Sequence, residues 1–170
     1  MTSICLHGPE STGKSMLVTQ LSAHFGCEAV PEYGRAYCEA HGTDIGMAEL
    51  VHIGETQDAM NRAARARSVG HVVFDTDSLI TSVWAEMMFG VRDPWFDTSE
   101  PSAEIYLLLD IDLPFVDDGL RVYADAADRA RFFDMSRAVL EQRGVRYALV
   151  SGTGDARFDC ALAAIGSLTR

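Results

Sequence analysis

The stretch Gly8-Pro9-Glu10-Ser11-Thr12-Gly13-Lys14-Ser15 fits the spacing G-x-x-x-x-G-K-[ST]. It follows a short apolar run, Ser3 to His7, which reads as a buried strand. It opens a segment, Ser15 to Phe25, whose Leu17, Val18, Leu21 and Phe25 fall on one helical face. Strand, glycine loop and helix in that order form a phosphate-binding loop. Gly8 and Gly13 let the backbone turn so that successive N–H groups, from Glu10, Ser11, Thr12 and Gly13 onward, point inward at phosphate oxygens. The helix N-terminus adds partial positive charge. In this pattern Lys14 reaches the β- and γ-phosphates of ATP and the Ser15 hydroxyl ligates Mg²⁺. The chain holds thirteen arginines and one lysine, and that lysine is Lys14. A position that keeps Lys in an arginine background calls for a compact ammonium on a flexible stem.

Outward from the loop, strand-like and helix-like segments alternate. Cys27 to Val30 reads as a second strand ended by Pro31, and Gly34 to His41 as a short helical turn. Met47 to Arg67 reads as a long helix with Leu50, Ile53, Met60 and Ala64 on one stripe. Gly70 to Asp75 is a third strand and Ser78 to Phe89 a helix. Val91 to Ser102, with two prolines, is a loop. Glu104 to Leu109 is an apolar strand of the parallel-sheet kind, and Ile111 to Asp125 a polar connection. Asp128 to Arg143 is a helix, Val145 to Val150 a fifth strand, and Phe158 to Leu168 a last helix. The alternation implies an α/β fold with a doubly wound parallel sheet. No repeat, linker or low-complexity tract divides the 170 residues, so one domain is expected.

Carboxylates follow two of the strands, where an open α/β sheet binds its ligands. Asp75, closing Phe74-Asp75-Thr76-Asp77, is the candidate to hold Mg²⁺ opposite Ser15. Asp77 precedes a helix; it reads as an N-cap, as a contact to a substrate hydroxyl, or as the catalytic base. Glu32 follows the second strand and faces the phosphate loop, where the hydroxyl of a phosphoryl acceptor would lie. A base there would orient that hydroxyl and take its proton. Arg35 is placed to neutralise phosphate or to pair with Glu32. Gln57 sits on the apolar stripe between Ile53 and Met60, either lining a substrate pocket or satisfied in the core.

Asp117-Asp118-Gly119-Leu120-Arg121 lies in the connection after the fourth strand, with Arg129 and Arg131 beyond it. Phosphotransferases close a lid in such a place and bring an arginine onto the transferring phosphate. Arg121 is the first candidate and Arg129 the second, in a lid over about 112–130. Tyr33, Tyr37 and Trp95 are candidates to stack on a flat cationic ring, although such residues also serve in cores.

Composition narrows the partners. The formal net charge of −11 argues against nucleic acid or an anionic membrane, since no basic stripe offsets the self-repulsion. No run of 18 apolar residues exists, and residues 1–7 lack a basic segment, so no signal peptide is read and a cytoplasmic location is expected. Cys5, Cys27, Cys38 and Cys160 fit neither a zinc site nor a CxxC motif and are expected to be reduced thiols.

Taken together, the phosphate loop, Pro31-Glu32-Tyr33-Gly34-Arg35-Ala36-Tyr37, Phe74-Asp75-Thr76-Asp77 and Pro114 to Arg121 resemble, in the same order, the ribosylnicotinamide kinase domain of the NadR family. The likeness runs from about Ile4 to Ile165. It implies a P-loop, nucleoside-monophosphate-kinase-like fold with strand order 2-3-1-4-5, helices on both faces and a lid. It also implies transfer of the ATP γ-phosphate to the 5′-hydroxyl of nicotinamide riboside, giving nicotinamide mononucleotide. The resemblance puts the riboside near Glu32, Tyr33, Arg35 and Asp77, and the lid at Asp118 and Arg121. Full-length members of that family carry a nucleotidyltransferase domain ahead of this unit, so a stand-alone kinase domain is expected here. A kinase for another nucleoside or small metabolite, and an ATP-binding regulatory module without a small acceptor, are the alternative readings.

Overall fold

The apolar runs become strands of one parallel sheet in the computed structural model, which describes residues 1–116 and 123–170. These are β1 (Thr2–His7), β2 (Glu28–Val30), β3 (His71–Asp75), β4 (Ile105–Leu109) and β5 (Arg146–Val150). Among the described residues the sheet has five strands in the order β2-β3-β1-β4-β5, the order expected from the resemblance.

Side chains alternate between two faces along each strand. Ile4, Leu6, Val73, Ile105, Leu107, Leu109 and Val150 point to a face covered by α1 (Lys14–Phe25) and α7 (Gly154–Leu168). Cys5, Phe74, Tyr106 and Leu108 point to the other, covered by α3 (Met47–Arg67), α4 (Ser78–Phe89) and α6 (Ala126–Gln142). Covered on both faces, β4 is wholly buried. Each such large apolar side chain contributes about 1.5–3 kcal/mol.

Register fixes where the chemistry falls. Leu6 is level with Asp75 across β1 and β3, and Val30 is level with Phe74 across β2 and β3. The phosphate loop, Asp75 and the residues after Val30 therefore emerge side by side at the carboxyl edge. Gly8 is needed there: its φ is +124°, and a Cβ would stand 3.0 Å from the Leu109 carbonyl oxygen.

Two departures from the sequence reading have local causes. The stretch 91–102 is not all loop: Asp93 Oδ1 accepts from the Trp95 N–H at 2.8 Å and starts a one-turn helix, α5 (Trp95–Thr98). The last helix starts at Gly154, four residues ahead of Phe158, because its first turn is polar and carries little apolar period. The short helix read at 34–41 spans α2 (Tyr33–His41). All four cysteines are free thiols. No helix among the described residues is long and apolar enough to cross a membrane.

Candidate active site

The phosphate loop is held by its own polar groups. Gly8, Ser11 and Gly13 all take positive φ, and the buried Thr12 hydroxyl donates to the Pro9 carbonyl oxygen at 2.8 Å. The Lys14 ammonium folds back over the loop and donates to the Gly8 and Pro9 carbonyl oxygens at 2.9 and 2.7 Å. Beneath it, the His7 imidazole is fully buried. Burial first, and the Lys14 charge second, push its pKa down to about 3, so it adds no charge to the site.

Ser15 and Asp75 meet. The Ser15 hydroxyl donates to Asp75 Oδ2 at 2.6 Å, while Asp75 Oδ1 is buried with no hydrogen-bond partner among the described residues. A hydroxyl beside a carboxylate with an unmet buried oxygen is a hard oxygen donor set, which fits Mg²⁺.

A cleft of about 320 Å³ opens in front of the loop. It is lined by the phosphate-loop residues Gly8, Glu10, Ser11, Thr12, Gly13, Lys14 and Ser15, by the polar Glu32, Arg35 and Gln57, and by the apolar Ile45, Leu50, Ile53, Trp84 and Met88. Glu32 stands at the N-cap of α2 but makes no side-chain capping bond. Its carboxyl is pushed up to about 7, first by burial. The Asp75 and Glu10 charges raise it further, while Lys14 and Arg35 lower it. A carboxyl with that pKa can exchange its proton near neutral pH.

Gln57 is both a wall of the cleft and a satisfied amide. Its Oε1 accepts from the Tyr33 N–H at 2.7 Å, and its Nε2 donates to the Pro31 carbonyl oxygen at 3.3 Å and to Asn61 Oδ1 at 3.1 Å.

Other candidates lie elsewhere. Asp77 is fully buried: Oδ1 caps α4 through the Leu79 N–H at 3.1 Å, and Oδ2 accepts from the Tyr106 hydroxyl at 2.5 Å and the Ser102 N–H at 3.3 Å. Both oxygens are engaged, one capping a helix and the other holding a core tyrosine. Trp95 packs over Gly54, where a Cβ would lie 2.9 Å from its ring, and with Phe96 fills a core cluster. Tyr37 stacks on His41 at 4.4 Å, and Tyr33 meets Tyr37 and His52 edge-on or tilted. None of these three aromatic residues lines the cleft as its described residues define it. Arg129 donates to the Leu113 carbonyl oxygen at 3.1 Å and lies 5.8 Å above the Phe115 ring. Asp118 and Arg121, with the middle of the expected lid, fall outside the described residues.

Asp77→Ala is expected to destabilise the fold by about 2–3 kcal/mol, by removing a helix cap and stranding a buried tyrosine hydroxyl. Urea unfolding measures this. Asp77→Asn, with a smaller loss, should keep phosphoryl transfer; a folded Asp77→Asn protein without transfer would restore the base reading. Burial, then the Asp58 charge, pushes the Asp77 carboxyl up to about 6 from 3.8. The folded state thus holds its proton more tightly than the unfolded chain, and this contribution to stability falls as pH rises from about 4 to about 6.

Several residues of the cleft went unread in the sequence, Trp84 and Thr76 among them. Trp84 supplies its aromatic wall, its ring 5.0 Å from Phe132 and 5.4 Å from Tyr123. Thr76 lines the cleft at φ +81°, a conformation that costs a β-branched residue of order 1–3 kcal/mol. Neither leaves a pattern: α4 is apolar on nearly every side, and Thr76 lies in an Asp-Thr-Asp turn with no glycine to mark it.

Against known proteins, the trifunctional NAD biosynthesis/regulator protein NadR of Escherichia coli (strain K12) is 28% identical over 165 residues, covering 92% of this chain and 40% of that protein. The crystal structure of NadR protein in complex with NR matches with a TM-score of 0.75 and 22% identity, over 99% of this chain and 51% of that one. Deoxyadenosine kinase from M. mycoides matches with a TM-score of 0.65 and 12% identity, over 97% and 99% of the two chains. The chain thus spans two fifths to half the length of the NadR proteins it resembles. A family model described as AAA domain (AAA_28) matches residues 3–157, which take in the phosphate loop and every strand of the sheet: the chain belongs to that AAA domain family.

Proposed function

We propose that this protein transfers the γ-phosphoryl group of Mg-ATP to the 5′-hydroxyl of nicotinamide riboside, releasing ADP and nicotinamide mononucleotide. One observation carries the reading. One cleft is lined by Lys14 and by Ser15, whose hydroxyl bonds Asp75, by the carboxyl-bearing Glu32, and by the apolar Leu50, Ile53, Trp84 and Met88. The similarity to NadR, named for NAD biosynthesis and solved with NR, supports the choice of acceptor. One kinase domain over 1–170, with the segment at about 112–130 as its lid, and a cytoplasmic location belong to the same reading.

In this mechanism the loop N–H groups and the start of α1 cradle the phosphates. Lys14 leaves the Gly8 and Pro9 carbonyls for the γ-phosphate. Ser15 and Asp75 would hold Mg²⁺, which would supply charge neutralisation for the transferring phosphate. Glu32 accepts the 5′-hydroxyl proton as the new O–P bond forms and the bond to the β-phosphate oxygen breaks. The cationic ring of the riboside suits the Trp84 face.

A 5′-deoxy analogue of nicotinamide riboside should compete with the riboside and release no ADP. ADP formed with the analogue at the riboside rate would mean hydrolysis rather than transfer. Asp75→Asn should raise the Mg²⁺ concentration needed for half-maximal rate by about tenfold or more, since one charged ligand is lost; an unchanged titration would remove Asp75 from the metal site.

A further inference from the structure

The side chains of Gln57 and Asn61 link two loops that the sheet alone leaves independent. They lie one turn apart on the buried face of α3, at 1% and 0% exposure. Gln57 Oε1 accepts the Tyr33 N–H and its Nε2 donates to the Pro31 carbonyl oxygen, so one side chain grips both peptide units that flank the Glu32 Cα. Gln57 Nε2 also donates to Asn61 Oδ1, and Asn61 Nδ2 donates to the Thr76 carbonyl oxygen at 3.0 Å. The chain of bonds therefore begins around Glu32 and ends on the residue after Asp75.

Two features argue that this chain does more than satisfy buried polar groups. An N-cap residue ordinarily serves the first N–H groups of its own helix. At α2 the N-cap is Glu32, which makes no such bond and lines the cleft instead, while Gln57 from another helix takes the Tyr33 N–H next to it. At the far end, the Asn61 amide holds the carbonyl of Thr76, the strained residue beside the metal carboxylate. A run of two carboxamides can accept from the Tyr33 N–H at one end and donate to the Thr76 carbonyl oxygen at the other because each carries both kinds of group; no pair of apolar side chains can.

We propose that Gln57 and Asn61 are positioning residues for phosphoryl transfer, a two-amide relay that fixes the acceptor-orienting carboxylate of Glu32 relative to the Asp75–Thr76 end of β3. This rests on the reading of Glu32 given above. The relay leaves Gln57 with no amide hydrogen to offer an acceptor, so its place in the cleft wall is structural.

The test is a double-mutant cycle on transfer from Mg-ATP to nicotinamide riboside, with folding checked by circular dichroism and thermal melting. Gln57→Met and Asn61→Leu should each lower kcat by about tenfold or more, since small misplacements at a reacting centre are costly, and leave KM for ATP within about twofold. In a Glu32→Gln background, neither should lower kcat by a further twofold. Losses that multiply with that of Glu32→Gln, or that fall on KM for ATP, would overturn the relay while leaving Glu32 in place. A Glu32→Gln protein as fast as the unaltered one, or no transfer by the unaltered protein, would instead refute the Glu32 reading itself. The Asn61→Leu arm decides alone should Gln57→Met fail to fold.

Discussion

Lys14→Ala is expected to lower phosphoryl transfer by about 10³-fold while the protein remains folded. The ammonium is the single lysine charge in the chain and the cation built into the phosphate loop. Its hydrogen bonds to the Gly8 and Pro9 carbonyls must be exchanged for γ-phosphate oxygens, where a positive charge is worth most as negative charge shifts during transfer. Its role in stability is small. Lys14 opens α1, and a cation in the first turn of a helix is unfavourable to the macrodipole. The melting temperature of Lys14→Ala should therefore match or exceed that of the unaltered protein, and initial rates beside thermal melts check both parts. Lys14→Arg should not restore the rate, because a planar fork does not replace a compact ammonium. A folded Lys14→Ala protein with ordinary activity would refute the phosphate-loop assignment.

Glu32→Gln is expected to lower kcat by about 10²-fold, the scale of a positioned general base. The pH dependence identifies the group. With its carboxyl pushed up to about 7, kcat/KM for the unaltered protein should rise with pH through about 7 and then level. The Gln variant should lose that limb. Stability runs the other way. The folded state holds the Glu32 proton more tightly than the unfolded chain, whose carboxyl titrates near 4.5, so the contribution of this group declines as pH rises from about 4.5 through about 7. At pH 8 Glu32→Gln should melt above the unaltered protein while transferring far more slowly. A gain in stability with a loss of rate marks a group held charged for function. An equal loss from Arg137→Ala, whose guanidinium lies over the Phe133 ring away from the cleft, would remove Glu32 from the catalytic role.

The phosphate end of the site was legible because its requirements are local. A strand, a loop needing positive φ at Gly8 and Gly13, and a helix N-terminus are all contiguous, and the spacing alone brings Lys14 and Ser15 to the wall of the cleft. Asp75 followed from its place at a strand end. The strand order came from the resemblance, since alternation of strands and helices fixes a parallel sheet but not its permutation. The acceptor end was less legible because it is assembled from several elements. Trp84 and Trp95 look alike in sequence, yet one faces the cleft and the other packs on Gly54. The difference lies in a close helix approach that only the glycine hints at. Tyr33 and Tyr37 follow Glu32 in sequence, but the turn of α2 carries their rings toward His41 and His52. Asp75 and Asp77 differ by two residues and by opposite fates: one oxygen of Asp75 has no partner among the described residues, while both of Asp77 are engaged in the core. Gln57 was noticed as a polar break in an apolar stripe. Asn61, one turn on, carries the same signal, and its partner Thr76 could be found only in three dimensions.

The most direct test of the account is to incubate the purified protein with Mg-ATP and nicotinamide riboside, beside adenosine, cytidine, uridine and no acceptor, and to identify the products by mass. The account predicts nicotinamide mononucleotide formed in step with ADP, well above product from any other acceptor. A folded, ATP-binding protein whose ADP release is unaffected by nicotinamide riboside would contradict it.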